Sequence, residues 1–301
     1  MRVSTSQTYD RPTLLMGKLT QQADAWQTQV ATTKKIAAPS DSASGWQQLS
    51  GLKRASANDS AYAANIKTAQ SLLAATDTAL GTVESQLQRA KALAVQANSD
   101  TLNAADRDSI RIEVEAIIED LLNVANTKDS RGYPLFGGTG DAAFARQGDG
   151  SITYVGAGEA AAIPVGDGVT IAATESGARA FTGIATPSGT SDMFAILTAF
   201  AAALQPGAEA GGIDKAMGEL DAALDQVGTT RASVGARAFR MDMEAERLVD
   251  ADIARETTRS GIEDADLTTA IAELQKTLTV LQATQASFTK LTALSLFDYL
   301  R

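Results

Sequence analysis

The sequence predicts a mainly α fold: a long helical bundle or coiled-coil hairpin with paired terminal helices and a small inserted β-rich domain. Three observations predict it. One position every four and then three residues can be followed unbroken through Ile213, Met217, Leu220, Leu224, Val227, Arg231, Val234, Ala238, Met241, Ala245, Leu248, Asp252 and Arg255. That is the seam of a long helix lying along other helices. A second seam has Ile66, Leu73, Leu80, Leu87 and Ala94 recurring every seven residues, each followed three later by Ala69, Thr76, Val83, Ala90 and Ala97. Between the two seams, helical periodicity is absent from a Gly-, Thr- and Ala-rich stretch, residues 135–190.

Taken in order, residues 1–9 are polar and begin no element. A helix is expected from about Arg11, with Leu15, Leu19, Gln22, Trp26, Gln29 and Thr33 at 4-3 spacing. Pro39 ends it, because the residue before a proline is pushed out of the α region, and Ser40 or Asp41 is placed to cap the next helix. That next helix spans roughly Ser42 to Ser99. Asn103 and Asp106 have the spacing of a helix start in which side-chain oxygens take up free backbone N–H groups. Ile110, Val114, Ile117, Leu121 and Val124 then share a face up to a break near Asp129.

Short strands are expected over residues 151–155, 161–165 and 169–172, punctuated by Gly148, Gly150, Gly156, Gly158, Gly166 and Gly168. This insertion is expected to have little core of its own. Helix resumes near Ser191 with Phe194, Leu197, Ala201 and Leu204 on one face, and Pro206-Gly207 stops it. The long helix from Gly212 to about Thr258 comes next. After Gly261 a final one carries Leu267, Ile271, Leu274, Leu278, Leu281, Gln285 and Phe288 at 4-3 spacing. Three helices, a β insertion and three helices bring the two chain ends together. The expected domains are residues 1–40 with 262–301, residues 41–134 with 191–261, and residues 135–190.

Composition narrows the function classes. The chain has 301 residues, 44% hydrophobic but only 5% aromatic, which suits long helices with narrow seams better than a compact core of large rings. A net charge of −10 argues against a nucleic-acid partner held by phosphate contacts and against an anionic membrane surface. Cys and His are both absent. That removes disulfides, thiolate nucleophiles, the commonest metal ligand and the usual general base near neutral pH. No catalytic residue, cofactor site or metal site is expected, and the chain is read as no enzyme. No apolar run reaches 18 residues, and residues 1–18 lack the apolar core of a cleavable signal peptide.

The motifs that could carry chemistry have simpler readings. Asp264 with Asp266, and Glu113 with Glu115, stand two residues apart, which does not bring side chains together on a helix. Gly137-Gly138-Thr139-Gly140-Asp141 has one copy and a misplaced Asp for a calcium repeat, so a turn is the better reading. Gly17-Lys18 lacks the rest of a phosphate loop. Trp26 and Trp46 could stack on a carbohydrate, but both flank the Pro39 turn on helices, where packing is the simpler role.

The terminal segments suggest assembly. Ordering a residue costs on the order of 1–2 kcal/mol of backbone entropy, whereas burying a leucine returns only about 1.5–3 kcal/mol. Two terminal helices paired alone would have one narrow seam and leave apolar strips wet. Residues 1–38 and 265–301 are therefore expected to order fully only when several copies bury them together. The assembly surface is assigned to Leu15, Leu19, Trp26, Leu267, Ile271, Leu274, Leu278, Leu281 and Phe288, together with Leu294, Leu296, Phe297 and Leu300 of the apolar closing segment.

Five stretches, in order, resemble the flagellin superfamily. They are the start Met1-Arg2-Val3-Ser4-Thr5-Ser6, the turn Ala38-Pro39-Ser40-Asp41, and Ala90-Lys91-Ala92-Leu93-Ala94-Val95-Gln96-Ala97. The fourth is Ala125-Asn126-Thr127-Lys128-Asp129 with Leu135-Phe136-Gly137-Gly138-Thr139, and the fifth is the ending Leu294-Ser295-Leu296-Phe297-Asp298-Tyr299-Leu300. The resemblance covers roughly residues 1–140 and 190–301. It implies a structural subunit of the bacterial flagellum, exported without a cleavable signal peptide by the flagellar type III apparatus. It also implies a homo-oligomeric ring linking hook to filament, with a hook-side junction protein, flagellin and an export chaperone as partners. Phe297-Asp298-Tyr299-Leu300 is similar to junction subunits, while Ile262-Glu263-Asp264-Ala265-Asp266 and Arg301 also suit a minor flagellin of the filament. A surface carbohydrate-binding or adhesive protein is the alternative of another class, with Phe144, Tyr154 and Phe181 as its few aromatic candidates.

Overall fold

The computed structural model describes residues 5–99, 102–159, 162–209 and 211–299, with side chains described between residues 10 and 290. Among the described residues, seven α-helices and six short strands follow one another as α1 (Thr5–Thr32), α2 (Ala43–Ala97), α3 (Ala104–Ala125), β1 (Phe144–Arg146), β2 (Ile152–Tyr154), β3 (Ile163–Gly166), β4 (Val169–Ile171), α4 (Gly177–Phe181), β5 (Ile184–Thr186), β6 (Gly189–Ser191), α5 (Met193–Ala203), α6 (Gly212–Glu263) and α7 (Leu267–Tyr299). The chain divides into two compact units, residues 1–58 with 250–301 and residues 59–249.

In the unit of residues 59–249, the α2 seam is buried throughout and the α6 seam at every second member, with Met217, Leu224, Arg231, Ala238 and Ala245 half-buried. On α2 every member of the two stripes from Ile66 to Ala97 is buried, and on α6 Ile213, Leu220, Val227, Val234, Met241 and Leu248 are buried at seven-residue intervals. Small seam residues such as Ala69, Ala90 and Ala97 are as fully buried as the leucines between them. A polar ladder flanks the seam. Gln70, Asp77, Glu84, Lys91 and Asn98, spaced by seven, reach Asp242, Arg231, Arg231, Asp221 and Asp214 in turn. Partner numbers that fall as the α2 numbers rise mean that α2 and α6 run antiparallel. Arg231, which the sequence places in the seam, keeps its charge there by bonding Asp77 at 2.8 Å and Glu84 at 2.9 Å.

Several boundaries differ from the expected ones. The first helix starts at Thr5, with Pro12 inside it, rather than near Arg11. Packing along α7 outweighs the backbone hydrogen bond that Pro12 cannot donate. The third helix ends at Ala125, where Asn126 takes over. Its Oδ1 accepts from the N–H of Ala143 (2.9 Å) and Phe144 (3.0 Å), and its Nδ2 donates to the Phe144 carbonyl (2.9 Å), so the side chain ties the helix end to β1. Asp129 then folds the following loop by accepting from the N–H of Arg131 and Tyr133. Asn103 and Asp106 form the expected reciprocal cap on α3.

The insertion is three separate antiparallel hairpins, β1–β2, β3–β4 and β5–β6. Contrary to the expectation of little core, it has an aromatic cluster of its own that extends onto α5. Phe136 and Phe181 meet edge to face at 5.0 Å, and Phe144 lies 5.0 Å from Phe194 of α5. The Leu135-Phe136-Gly137-Gly138-Thr139 motif has a physical reason. Leu135 and Phe136 are buried, and Gly138 takes φ +63° where a Cβ would stand 2.4 Å from the carbonyl oxygens of Ala157 and Gly158. Glu175, buried after β4, is held by Arg237 of α6 and by Arg179 at 2.7 Å, and Arg237 also donates to the carbonyls of Ala172 (2.9 Å) and Thr174 (3.1 Å).

Two substitutions test this packing. Gly138→Ala will lower stability by more than about 1 kcal/mol, measured by urea unfolding, and by more than Gly132→Ala, whose φ is also positive but whose Cβ would meet open space. Arg237→Met leaves the buried Glu175 carboxylate with Arg179 and the Ser176 N–H as its remaining partners and will cost less than the roughly 3–5 kcal/mol of a fully stranded charge, whereas Arg237→Met combined with Arg179→Met removes both cations and will approach that figure.

Candidate functional site

The candidate site lies in the unit of residues 1–58 with 250–301, where α1 and α7 lie side by side. They run antiparallel: Lys34 bridges Asp264 near one end, and Arg11, Pro12 and Leu15 line a common groove with Thr284, Ser287 and Phe288 further along. The helices are 28 and 33 residues long. Among their described side chains only Ala23, Ala270 and Thr277 are buried. A helix pair joined by small residues has a narrow contact, and its larger apolar groups lie at the edges.

The residues assigned to assembly divide accordingly. Leu19, Trp26, Leu274, Leu281 and Phe288 are half-buried along the contact. Leu15 (49% exposed), Leu267 (40%), Ile271 (43%) and Leu278 (42%) stand clear of it. The α7 contact line runs through Ala270, Leu274, Thr277, Leu281, Thr284 and Phe288, to one side of the seam read from the sequence. That rotation leaves Leu267, Ile271 and Leu278 as an open stripe. The side chains of Leu294, Leu296 and Phe297, and all of Leu300, lie outside the described residues.

At the base of the pair, two linkers interlock. The Lys35 N–H donates to the Glu263 carbonyl at 2.6 Å and the Ala265 N–H to the Thr33 carbonyl at 2.9 Å. Lys34 and Arg259 both pair with the Glu263 carboxylate. Thr33 sits at φ +58°, a left-handed conformation that costs a β-branched residue about 1–2 kcal/mol, and the linker bonds hold it there. Ser42, not Ser40 or Asp41, caps α2 by accepting from the Gly45 N–H at 3.1 Å. Asp41 instead accepts from the N–H groups of Ala38 (2.8 Å) and Ala37 (2.9 Å), which hold its carboxyl below the ordinary range. Asp266 starts α7, accepting from the Thr269 hydroxyl at 2.7 Å and the Thr268 N–H at 3.0 Å. Lys34 and Glu263 are 229 residues apart, and no sequence signal pairs them.

The other motifs have structural partners. Glu113 pairs with Arg89, and Glu115 with Arg111. Trp46 is 38% exposed beside Ile36 and Leu49. The aromatics considered for a saccharide face are turned inward: Phe144 and Phe181 are buried, and Tyr154 packs its ring edge on Phe144. Among the described residues no group of three or more acidic, Cys or His side chains could hold a metal ion. No helix among them is long and apolar enough to cross a membrane.

The joint should respond to acid. Lys34, foremost, and Arg259 hold the Glu263 carboxyl below its ordinary range. A carboxyl depressed in the folded chain contributes stability above the ordinary carboxylate range, and that contribution is lost as pH falls through its folded value. Hydrogen exchange at the Lys35 and Ala265 amides will show protection at neutral pH that declines below the ordinary carboxylate range. In Glu263→Gln the protection will be weaker at neutral pH and less dependent on acid.

Comparisons with known proteins fall on the same two ends of the chain. Residues 3–141 match the bacterial flagellin N-terminal helical region and residues 217–300 the bacterial flagellin C-terminal helical region. The chain is 28% identical over 320 residues to flagellar hook-associated protein 3 of Escherichia coli (strain K12), covering 99% of both chains. It is 27% identical over 319 residues to flagellar hook-associated protein 3 of Salmonella typhimurium, again covering 99% of both. It shares the fold of the flagellar junction protein FlgL of Legionella pneumophila, with a TM-score of 0.62, 14% identity and coverage of 71% of this chain and 99% of that one.

Proposed function

Because this chain belongs to the flagellin superfamily, we propose that it is a structural, non-catalytic subunit of the bacterial flagellum that assembles through α1 and α7 at the junction of hook and filament. The observation that carries this reading is the combination of full-length likeness to hook-associated protein 3 with a terminal helix pair that buries little of its own apolar surface. Each of Leu267, Ile271 and Leu278, if fully covered, would gain roughly 1 kcal/mol beyond what the lone chain realises.

In this reading copies of the chain close a ring and cover one another's stripes. The hook-side junction protein and flagellin cover the two faces of the ring, and an export chaperone shields the apolar ends before assembly. The likeness to hook-associated protein 3 spans nearly the whole chain, whereas the match to Listeria monocytogenes flagellin covers 83% of it, which favours the junction over the filament.

Electron microscopy of flagella from a strain lacking this protein tests the assignment. Deletion will leave hooks without attached filaments, with flagellin released into the medium. The full chain will restore filaments, and a chain lacking residues 294–301 will not. Normal filaments in the deletion strain would contradict the junction assignment.

A further inference from the structure

The same unit contains a second apolar feature. A groove of about 640 Å³ lies between the first turns of α2 and the last turns of α6, floored by Ile36, Trp46, Leu49 and Leu52. Its charged rim is largely satisfied from within, since Lys34 and Arg259 both pair with Glu263, and Arg259 also pairs with Glu256. A rim with few unmet charges favours an uncharged occupant.

Among the described residues, two helical stripes of three or more exposed large apolar side chains could enter such a groove. The α6 stripe of Phe239, Met243 and Ile253 is flanked by Arg240, Asp242, Glu246 and Asp250, and entry would strip water from several charges. The α7 stripe of Leu267, Ile271 and Leu278 is flanked by Thr268, Ala272, Gln275 and Thr279. Its nearby Glu273 and Lys276 already pair with each other at 3.1 Å. Length agrees as well. The groove wall from Trp46 to Ser56 spans about 15 Å of helix and the stripe from Leu267 to Leu278 about 16 Å.

We infer that the α2–α6 groove of one copy receives the α7 stripe of a second copy. The inference rests on the self-assembly reading above and names the contact. Groove and stripe are different patches, so the contact is heterologous, and repetition closes a ring or continues as a helix rather than stopping at a dimer. A single helix face in a groove buries less than the roughly 1,200 Å² of a stable standard interface. One contact alone therefore leaves the chain monomeric in dilute solution, and assembly needs many contacts made together at high concentration.

The absence of Cys makes the test free of background. Ser50→Cys marks the middle of the groove and Ala272→Cys the middle of the stripe, so they meet in either helix orientation. The two full-length variants are mixed, concentrated until electron microscopy shows assemblies, and treated with a short bis-maleimide. The expected result is a crosslinked dimer in the mixture, absent from either variant alone, with mass spectrometry joining positions 50 and 272. Assemblies that crosslink only 50 to 50 or 272 to 272, or not at all, overturn the groove contact while leaving self-assembly standing. Failure of the unmodified chain to assemble at any concentration overturns both.

Discussion

The structure depends on the antiparallel seam between α2 and α6. Its repeat of seven residues keeps one face of each helix against the other. Polar side chains reach across the edge of that seam, and Gln70, Asp77, Glu84, Lys91 and Asn98 all find partners on α6. Each such exposed pair contributes little by itself. Together they penalise any slip in register, because a shift of one turn would break every rung. Arg231 shows the same economy: its two carboxylate partners let a cation occupy a seam position without being stranded.

The terminal pair follows the opposite rule. α1 and α7 are as regular as α2, yet Ala23, Ala270 and Thr277 are the buried positions among their described side chains. Their geometry is set at the base, where backbone bonds between the linkers, the Glu263 ion pairs and the strained Thr33 fix how the helices leave the joint. The pair is thus joined both at its base and along a narrow contact of small residues, which leaves Leu267, Ile271 and Leu278 open to a neighbour.

Much of this was legible in the sequence because one signal, apolar periodicity, reports directly on burial. The stripes of α2 and the seven-residue members of α6 stand where the spacing puts them. Periodicity reports less well where a seam is made of alanine and threonine. On α7 the large residues mark the middle of the apolar face, but the contact follows the small ones at its edge. Pairings across great sequence distance, such as Lys34 with Glu263 or Arg237 with Glu175, leave no local trace. Asp41 was misassigned for a related reason: an acidic residue after a proline suits a cap, and only the folded turn shows it bonding backward to Ala37 and Ala38 while Ser42 caps the helix. The hairpin insertion could not reveal its core, because part of that core is Phe194 of α5.

We propose that α2 with α6 is stable within one chain, while α7 gains its full burial from other copies. Hydrogen exchange of the full-length chain, measured as dilute monomer and again after assembly, tests it most directly. Amides of α2 between Ile66 and Ala97 will be protected in both states, and amides of α7 between Leu267 and Phe288 weakly protected in the monomer and strongly protected after assembly. Equal and strong protection of α7 and α2 in the monomer, unchanged by assembly, would contradict this proposal.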